Sequence, residues 1–290
     1  MKWSIPAKTF FLGEYAAIVG APAIVLTTTP CFEVTVTDEP GLQGIHPDSP
    51  AGRFWAQHGS VDRGLLWHDP YDGRGGLGAS SAQWLGAYFA CRQDGFVQDE
   101  EMLQAYFDSA WLGIGVRPSG YDVLAQSRQG CVYIDTRQAQ SYAWPFDDLA
   151  FILVHTGKKL ATHEHLQTLA LSDQIEPLAK IVESAKLAFE SGDSMQVIEA
   201  VNGYHQQLLQ MDLVAQHSVE QMDALKTHAD VLAIKGCGAM GADVLLLLVP
   251  MTQLVEFGTY LETMGLDILA TSDCLYKKKG QQGPFDSTRD

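Results

Sequence analysis

The sequence predicts an α+β fold in two domains, and three observations carry that prediction. The run Ala23–Asp38 (AIVLTTTPCFEVTVTD) is rich in β-branched residues and reads as strand. Three segments between positions 175 and 228 space their apolar residues at three and four, the period of amphipathic helices. Strands and helices are mixed, but no regular βαβ alternation runs through the chain, which argues against a parallel doubly wound sheet.

Taken in order, Lys2–Ile5 is the first expected strand, and a turn-rich region follows it. The stretch from Pro40 to Asp72 is dense in Gly, Pro, His and Asp and is expected to be irregular. Ser81–Gln93 places Trp84, Leu85, Tyr88 and Phe89 at helical spacing. Asp99–Leu112 does the same with Leu103, Tyr106, Phe107 and Ala110. Arg117–Asp122 reads as a turn or loop at a helix start. Gly130–Thr136 and Asp148–Thr156 read as strands. Between them, Pro145 and two aspartates interrupt the pattern, so the domains are expected to span residues 1–145 and 146–290. Helices are expected over Ile175–Ser191, Ser194–Met211 and His217–His228. Asp230–Pro250 gives strand, glycine turn and strand. A helix over Met251–Met264 and a strand in DILATSDCL close the chain.

Composition narrows the function. The 290 residues are 46% hydrophobic and 19% charged, values of a globular chain long enough for a substantial core. The net charge is −16, and the only basic run is Lys277-Lys278-Lys279, so nucleic acid is not an expected partner. No apolar stretch reaches the roughly 18 residues of a transmembrane helix. The start MKWSIPAKTFFLGEY lacks a long apolar core and does not read as a signal peptide. Five cysteines (31, 91, 131, 237 and 274) are scattered without pattern, which fits reduced thiols in a cytoplasm.

Four motifs carry the chemistry. GRGGLGASSA, Gly73–Ala82, contains a literal G-x-G-x-x-G. A Rossmann reading needs a buried strand before the first glycine, and GLLWHDPYD is polar and broken by proline. A Walker loop needs a lysine after the last glycine, and none follows. Two readings remain: a flexible loop with a serine N-cap, or a phosphate cradle at a helix N-terminus. In PAKTFFLGEYAAIVGAPAIV, Lys8 is an exposed lysine or one that points into a cleft from just after a strand. In RPSGYDV, Ser119-Gly120 presents Asp122, either as a turn residue or as a carboxylate that orients a hydroxyl. IKGCGAMGADV is a glycine-rich hairpin or a loop lying under a ligand. His155, His163 and His165 form no convincing metal set.

Together and in this order, the four motifs resemble those of the GHMP family of small-molecule kinases, in its mevalonate-pathway branch. The resemblance runs through most of the chain. It implies an N-terminal domain like ribosomal protein S5 domain 2 and a ferredoxin-like C-terminal domain, with ATP and Mg²⁺ in the cleft between them. Carried across, Asp122 is the catalytic carboxylate and Lys8 its cationic partner. Gly75, Gly76, Leu77, Gly78, Ala79, Ser80 and Ser81 hold the ATP phosphates, Ser80 also ligates Mg²⁺, and Glu14 braces the first motif near the nucleotide. Gly236, Gly238, Ala239 and Gly241 close over the site. Ser119, Gly120, Arg117 and Thr162 are the acceptor-binding candidates, with Arg74, Lys158 and Lys159 as further cations for a phosphorylated acceptor. The acceptor expected is mevalonate or 5-phosphomevalonate. A sugar, a homoserine-like alcohol and a catalytically silent nucleotide-binding role stay open, and a homodimer is compatible with the sequence.

The chain also departs from the family. Ala79 replaces a common serine, Gly73 a common proline, and Met240 and Ala242 replace glycines. Trp111 stands where mevalonate kinases hold an acidic Mg²⁺ ligand, and Asp108 is the nearest acidic residue upstream.

Overall fold

The computed structural model describes residues 1–92, 98–157 and 175–277. Six strands form the first sheet: β1 (Lys2–Leu12), β2 (Ala23–Thr37), β3 (Gly41–Gln43), β4 (Gly64–His68), β5 (Cys131–Asp135) and β6 (Gln138–Tyr142). Their order is β3-β4-β2-β5-β6, with β1 antiparallel to β2. The second sheet is antiparallel, in the order β10-β7-β9-β8: β7 (Leu149–His155), β8 (Ala233–Cys237), β9 (Val244–Pro250) and β10 (Ile268–Thr271). The mixture of helix and sheet is the one expected.

Helices cover both sheets. They are α1 (Pro50–His58), α2 (Ala79–Ala90), α3 (Asp99–Ala110), α4 (Tyr121–Gln126), α5 (Ile175–Ser191), α6 (Ser194–Gln210), α7 (Gln216–Lys226) and α8 (Leu254–Thr263). Helices α5 and α6 pack between the halves: Phe11 of β1 meets Phe189 of α5 edge-on, with ring centroids 5.7 Å apart. One continuous core therefore joins β1 and β2 to Phe151, Leu153 and Leu246 of the second sheet. The other face of that sheet, through Ile152, Leu245 and Leu247, meets Met222 of α7 and Phe257 of α8. Burial on both faces explains why β9 is an unbroken apolar run without alternation.

Three regions differ from expectation. Strand β1 continues past Ile5 to Leu12, through irregularities at Ile5/Ala7 and Phe10/Leu12 that interrupt its alternation. Lys8 therefore lies within the strand, not after it. The stretch expected to be irregular contains β3, α1 and β4. Helix α1 has a readable start, because the Ser49 hydroxyl accepts the Gly52 N–H at 3.1 Å and Pro50 opens the helix. Strand β6 is polar, and the turn before it holds Thr136 and Arg137 at φ of 46° and 68°. A tight hairpin turn with these dihedrals is normally announced by Asn or Gly, and neither is present.

Candidate active site

The glycine run is shaped from upstream. Asp69 accepts the backbone N–H of Tyr71 at 2.8 Å and of Gly73 at 3.0 Å, which turns the chain after β4. Gly76 and Gly78 then take left-handed conformations, φ 82° and 80°. Gly78 is the N-cap of α2, and no side chain caps that end, so the first-turn N–H groups are left for a ligand. The serine N-cap reading is thereby corrected, since Ser80 and Ser81 lie inside the helix.

The two serines have different surroundings. Ser80 is exposed and lines the cleft. The buried Ser81 hydroxyl donates to Gln126 Oε1 at 2.6 Å, and Gln126 Nε2 donates to the Pro6 carbonyl at 2.8 Å. That chain ties α2 to α4 and β1, so the Ser81 hydroxyl is engaged in holding the loop.

Lys8 is 8% exposed. Its backbone N–H donates to Leu77 O at 2.9 Å, and its ammonium lies 2.8 Å from Asp122 Oδ1. A Cβ at Gly78 would fall 2.6 Å from Lys8 Cγ, so the glycine is what lets the lysine stem pass the loop. Asp122 sits in the first turn of α4, behind Gly120 at φ 80° and ψ 0°. A Cβ at Gly120 would meet Leu103 at 2.5 Å, which makes that glycine a packing requirement rather than an acceptor contact.

These groups line one cavity of about 560 Å³. Lys8, Glu14, Gly75 to Ser81, Ser119, Asp122 and Gly238 all contribute to its wall, together with Phe10, Ile18, Trp67 and Tyr106. Asp243 lines it too. Arg117 is a correction: its guanidinium sits 3.9 Å over the Phe107 ring and is not part of the wall. Arg74 does line the cavity, and pairs with Asp267 at 3.1 Å. Thr162, Lys158, Lys159, His163 and His165 lie outside the described residues. Asp108 accepts from Gln104 Nε2 at 2.7 Å and stays off the cavity wall.

The second glycine loop divides its residues. Gly238 faces the cavity. Gly236 and Gly241 press backbone on backbone, since a Cβ at Gly236 would meet Gly241 O at 2.4 Å. They close the turn and do not cover the site. Ala239 and Met240 lie between, and Met240 holds φ 55° while its N–H donates to the Tyr15 hydroxyl at 2.9 Å.

Sequence reasoning missed Lys235. It is fully buried in β8 and forms an ion pair with Glu14 Oε1, with Cys237 Sγ 3.3 Å away. Burial holds the Glu14 carboxyl above the usual carboxylate range, against the pull of Lys235. The sequence did carry a signal, a lysine at an inward position of an apolar strand. Among the described residues, no three His, Cys, Asp or Glu side chains gather into a metal site.

The whole chain resembles known structures. Phosphomevalonate kinase of Streptococcus pneumoniae, in complex with phosphomevalonate and AMPPNP, superposes with a TM-score of 0.76 at 15% identity. The match covers 93% of this chain and 99% of that one. Mevalonate kinase of Methanococcus jannaschii gives a TM-score of 0.70 at 14% identity, over 93% and 97% of the two chains. Galactokinase of Lactococcus lactis, complexed with galactose, gives 0.68 at 13% identity, over 92% of each. The fold is that of the GHMP kinases. No family model and no curated protein matches the sequence. Within this fold, two glycine loops from opposite halves of the chain meet at one cleft, where Gly76 faces Asp243 and Gly78 faces Lys8. Among the described residues, no helix is long and apolar enough to cross a membrane.

Proposed function

We propose that the protein is an ATP-dependent small-molecule kinase, with mevalonate or 5-phosphomevalonate as the leading acceptor. The observation that carries this reading is the Lys8–Asp122 pair, 2.8 Å apart, in the same cavity as an uncapped helix N-terminus. An uncapped N-terminus behind left-handed glycines binds phosphate through its N–H groups and dipole. Phosphoryl transfer needs little more than positioning and charge stabilisation.

In this proposal the backbone from Gly75 to Ser81 holds the triphosphate. Asp122 orients the acceptor hydroxyl and takes its proton as the oxygen bonds to the γ-phosphorus. The bond from that phosphorus to the bridging oxygen breaks, and ADP leaves. Lys8 holds the Asp122 carboxylate in place and offsets charge on the transferring group. The oxygen donors here, the Ser80 hydroxyl and nearby carboxylates, fit a magnesium ion, which would neutralise phosphate charge when bound with the nucleotide. In this proposal the acceptor lies against Phe10, Ala17, Ile18, Tyr106 and Pro118 and meets the Ser119 hydroxyl, all of which line the same cavity. The phosphomevalonate and mevalonate kinases with this fold support the choice of acceptor.

The test follows ADP release from Mg·ATP with mevalonate, phosphomevalonate, homoserine and galactose in turn. Release with mevalonate or phosphomevalonate is the expected result, and the one of the two that is used names the acceptor. Release with galactose or homoserine alone moves the protein to another branch of the fold. Silence with all four leaves a nucleotide-binding homologue, the reading that Trp111 favours by standing where an acidic metal ligand is expected.

A further inference from the structure

We propose that Arg117 and Arg137 form a binding site for a phosphate-bearing anion, beside the cavity and separate from it. The proposal goes beyond the kinase reading and does not depend on it.

In sequence Arg117 is an acceptor-binding candidate, but the fold turns it away from the cavity and onto Phe107. Arg137 reaches the same ring from the turn between β5 and β6. The two guanidinium carbons lie 3.9 and 5.4 Å from the Phe107 ring centre. Two positive charges from separate segments thus share one buried ring. The ring attracts each guanidinium but does not cancel the repulsion between them.

Among the described residues, neither guanidinium pairs with a carboxylate or donates a hydrogen bond, and this sets the two apart. Arg63, Arg74, Arg92 and Arg128 each face a carboxylate, and Arg53 donates to the Ser109 carbonyl at 2.8 Å. The net charge is −16, so acidic partners are not scarce in this chain. Arg117 Nε is in addition buried, with no hydrogen-bond partner among the described residues. Folding has taken that donor from water without replacing the bond, which leaves it short of an acceptor.

The backbone holds this arrangement against its local preference. Thr136 and Arg137 sit at φ 46° and 68°, angles that glycine reaches with less strain. A strained position filled by arginine points to a use for the side chain.

The ligand class follows from the donors. A guanidinium presents paired N–H groups that match two oxygens of a phosphate. A phosphate or diphosphate carries charge enough to offset both arginines and oxygens enough to accept from each. Arg117, Arg137 and Phe107 do not line the cavity, so this anion is a second molecule and not the nucleotide in the cleft. The site nevertheless backs the turn that presents Asp122. A Cβ on Gly120 would fall 3.1 Å from Phe107 Cζ, and Gly120 caps the helix that carries Asp122.

The experiment titrates pyrophosphate into the full chain by calorimetry at constant ionic strength and in EDTA, alone and with the cavity filled by AMPPNP. The wild type is expected to bind pyrophosphate beside AMPPNP. Arg137→Gln changes an exposed side chain, and Arg117→Lys keeps a stem over Phe107 while removing the planar fork. Each is expected to weaken that binding by about tenfold, the loss of one charged hydrogen-bonding group. Thermal melting confirms that both variants fold. Amide exchange at Ser119–Asp122 and Thr136–Arg137 is expected to slow when pyrophosphate binds. Pyrophosphate displaced by AMPPNP, affinity unchanged by both substitutions, or exchange unchanged at these amides overturns the site. Displacement by 5-phosphomevalonate overturns its separation from the acceptor. Failure of the wild type to bind AMPPNP overturns the kinase reading alone, because the effect of the two substitutions on pyrophosphate binding still decides this site.

Discussion

The molecule contains two lysine–carboxylate pairs built from the same chemistry and placed in opposite surroundings. Lys8 and Asp122 meet across the cavity, and the Asp122 side chain is 37% exposed. Lys235 and Glu14 meet at the buried edge of that cavity, with Lys235 fully buried and Glu14 7% exposed. The open pair stays hydrated enough to exchange its partner for a ligand. The closed pair has paid its desolvation cost in folding and joins the turn after β1 to β8 in the second half. Burial opposes the Lys235 charge, but the ion pair with Glu14 and the hydrogen bond that the ammonium donates to Cys237 Sγ outweigh it and hold the ammonium above the usual lysine range. The Cys237 thiol is itself pushed up to about 12 by burial, so it stays a neutral neighbour near pH 7. The same ion pair thus stands open to a ligand in one place and joins the two halves in the other.

The largest effect that sharpens this contrast is catalytic. Asp122→Asn is expected to lower turnover about 10²–10⁴-fold, the range for a positioned base, with nucleotide affinity kept. Its stability should move by less than about 1 kcal/mol, since a partly exposed pair contributes little to folding. Full activity in this variant would remove Asp122 from the mechanism. Lys235→Met should behave in the opposite sense. It leaves Glu14 buried without its counter-charge, a loss of about 3–5 kcal/mol in denaturant unfolding. Adding Glu14→Gln should recover most of that loss, because the orphaned charge then disappears. A Lys235→Met protein that unfolds like the wild type would show that the buried pair does not hold the loops.

How much of this was legible in sequence depends on what each residue answers to. That the glycine loop, Lys8 and Asp122 would face one cleft was implied by the family resemblance of four motifs in order, since each motif alone left a purely structural alternative open. Helices α5 to α7 were readable because one face of each is apolar at helical period. Strand β6 was not, because its turn uses Thr136 and Arg137 at positive φ where glycine or asparagine is the usual signal. The place of Lys235 was not readable, because it depends on Glu14, more than two hundred residues away in the chain. Arg117 was misplaced for a related reason: nothing in RPSGYDV shows that the Phe107 ring stands closer to the guanidinium than the cleft does.

The smallest expected effect probes the buried side of the comparison through pH. His205 of α6 is 2% exposed, and its Nε2 lies 3.3 Å from Lys226 Nζ. Burial first, then Lys226 and Lys235, lower its pKa from 6.5 to about 4. The unfolded chain therefore binds a proton between pH 6.5 and 4 that the folded chain refuses. The stability linked to this group is fully present above about pH 6.5 and is lost as pH falls toward 4, by about 3 kcal/mol at most. His205→Gln keeps a polar side chain beside Lys226 and removes the titration. Unfolding free energy followed from pH 7 to 4.5 should then fall less steeply in the variant than in the wild type. Identical slopes would mean that the imidazole is protonated in the folded protein, and that the cationic surroundings of Lys235 do not extend to α6.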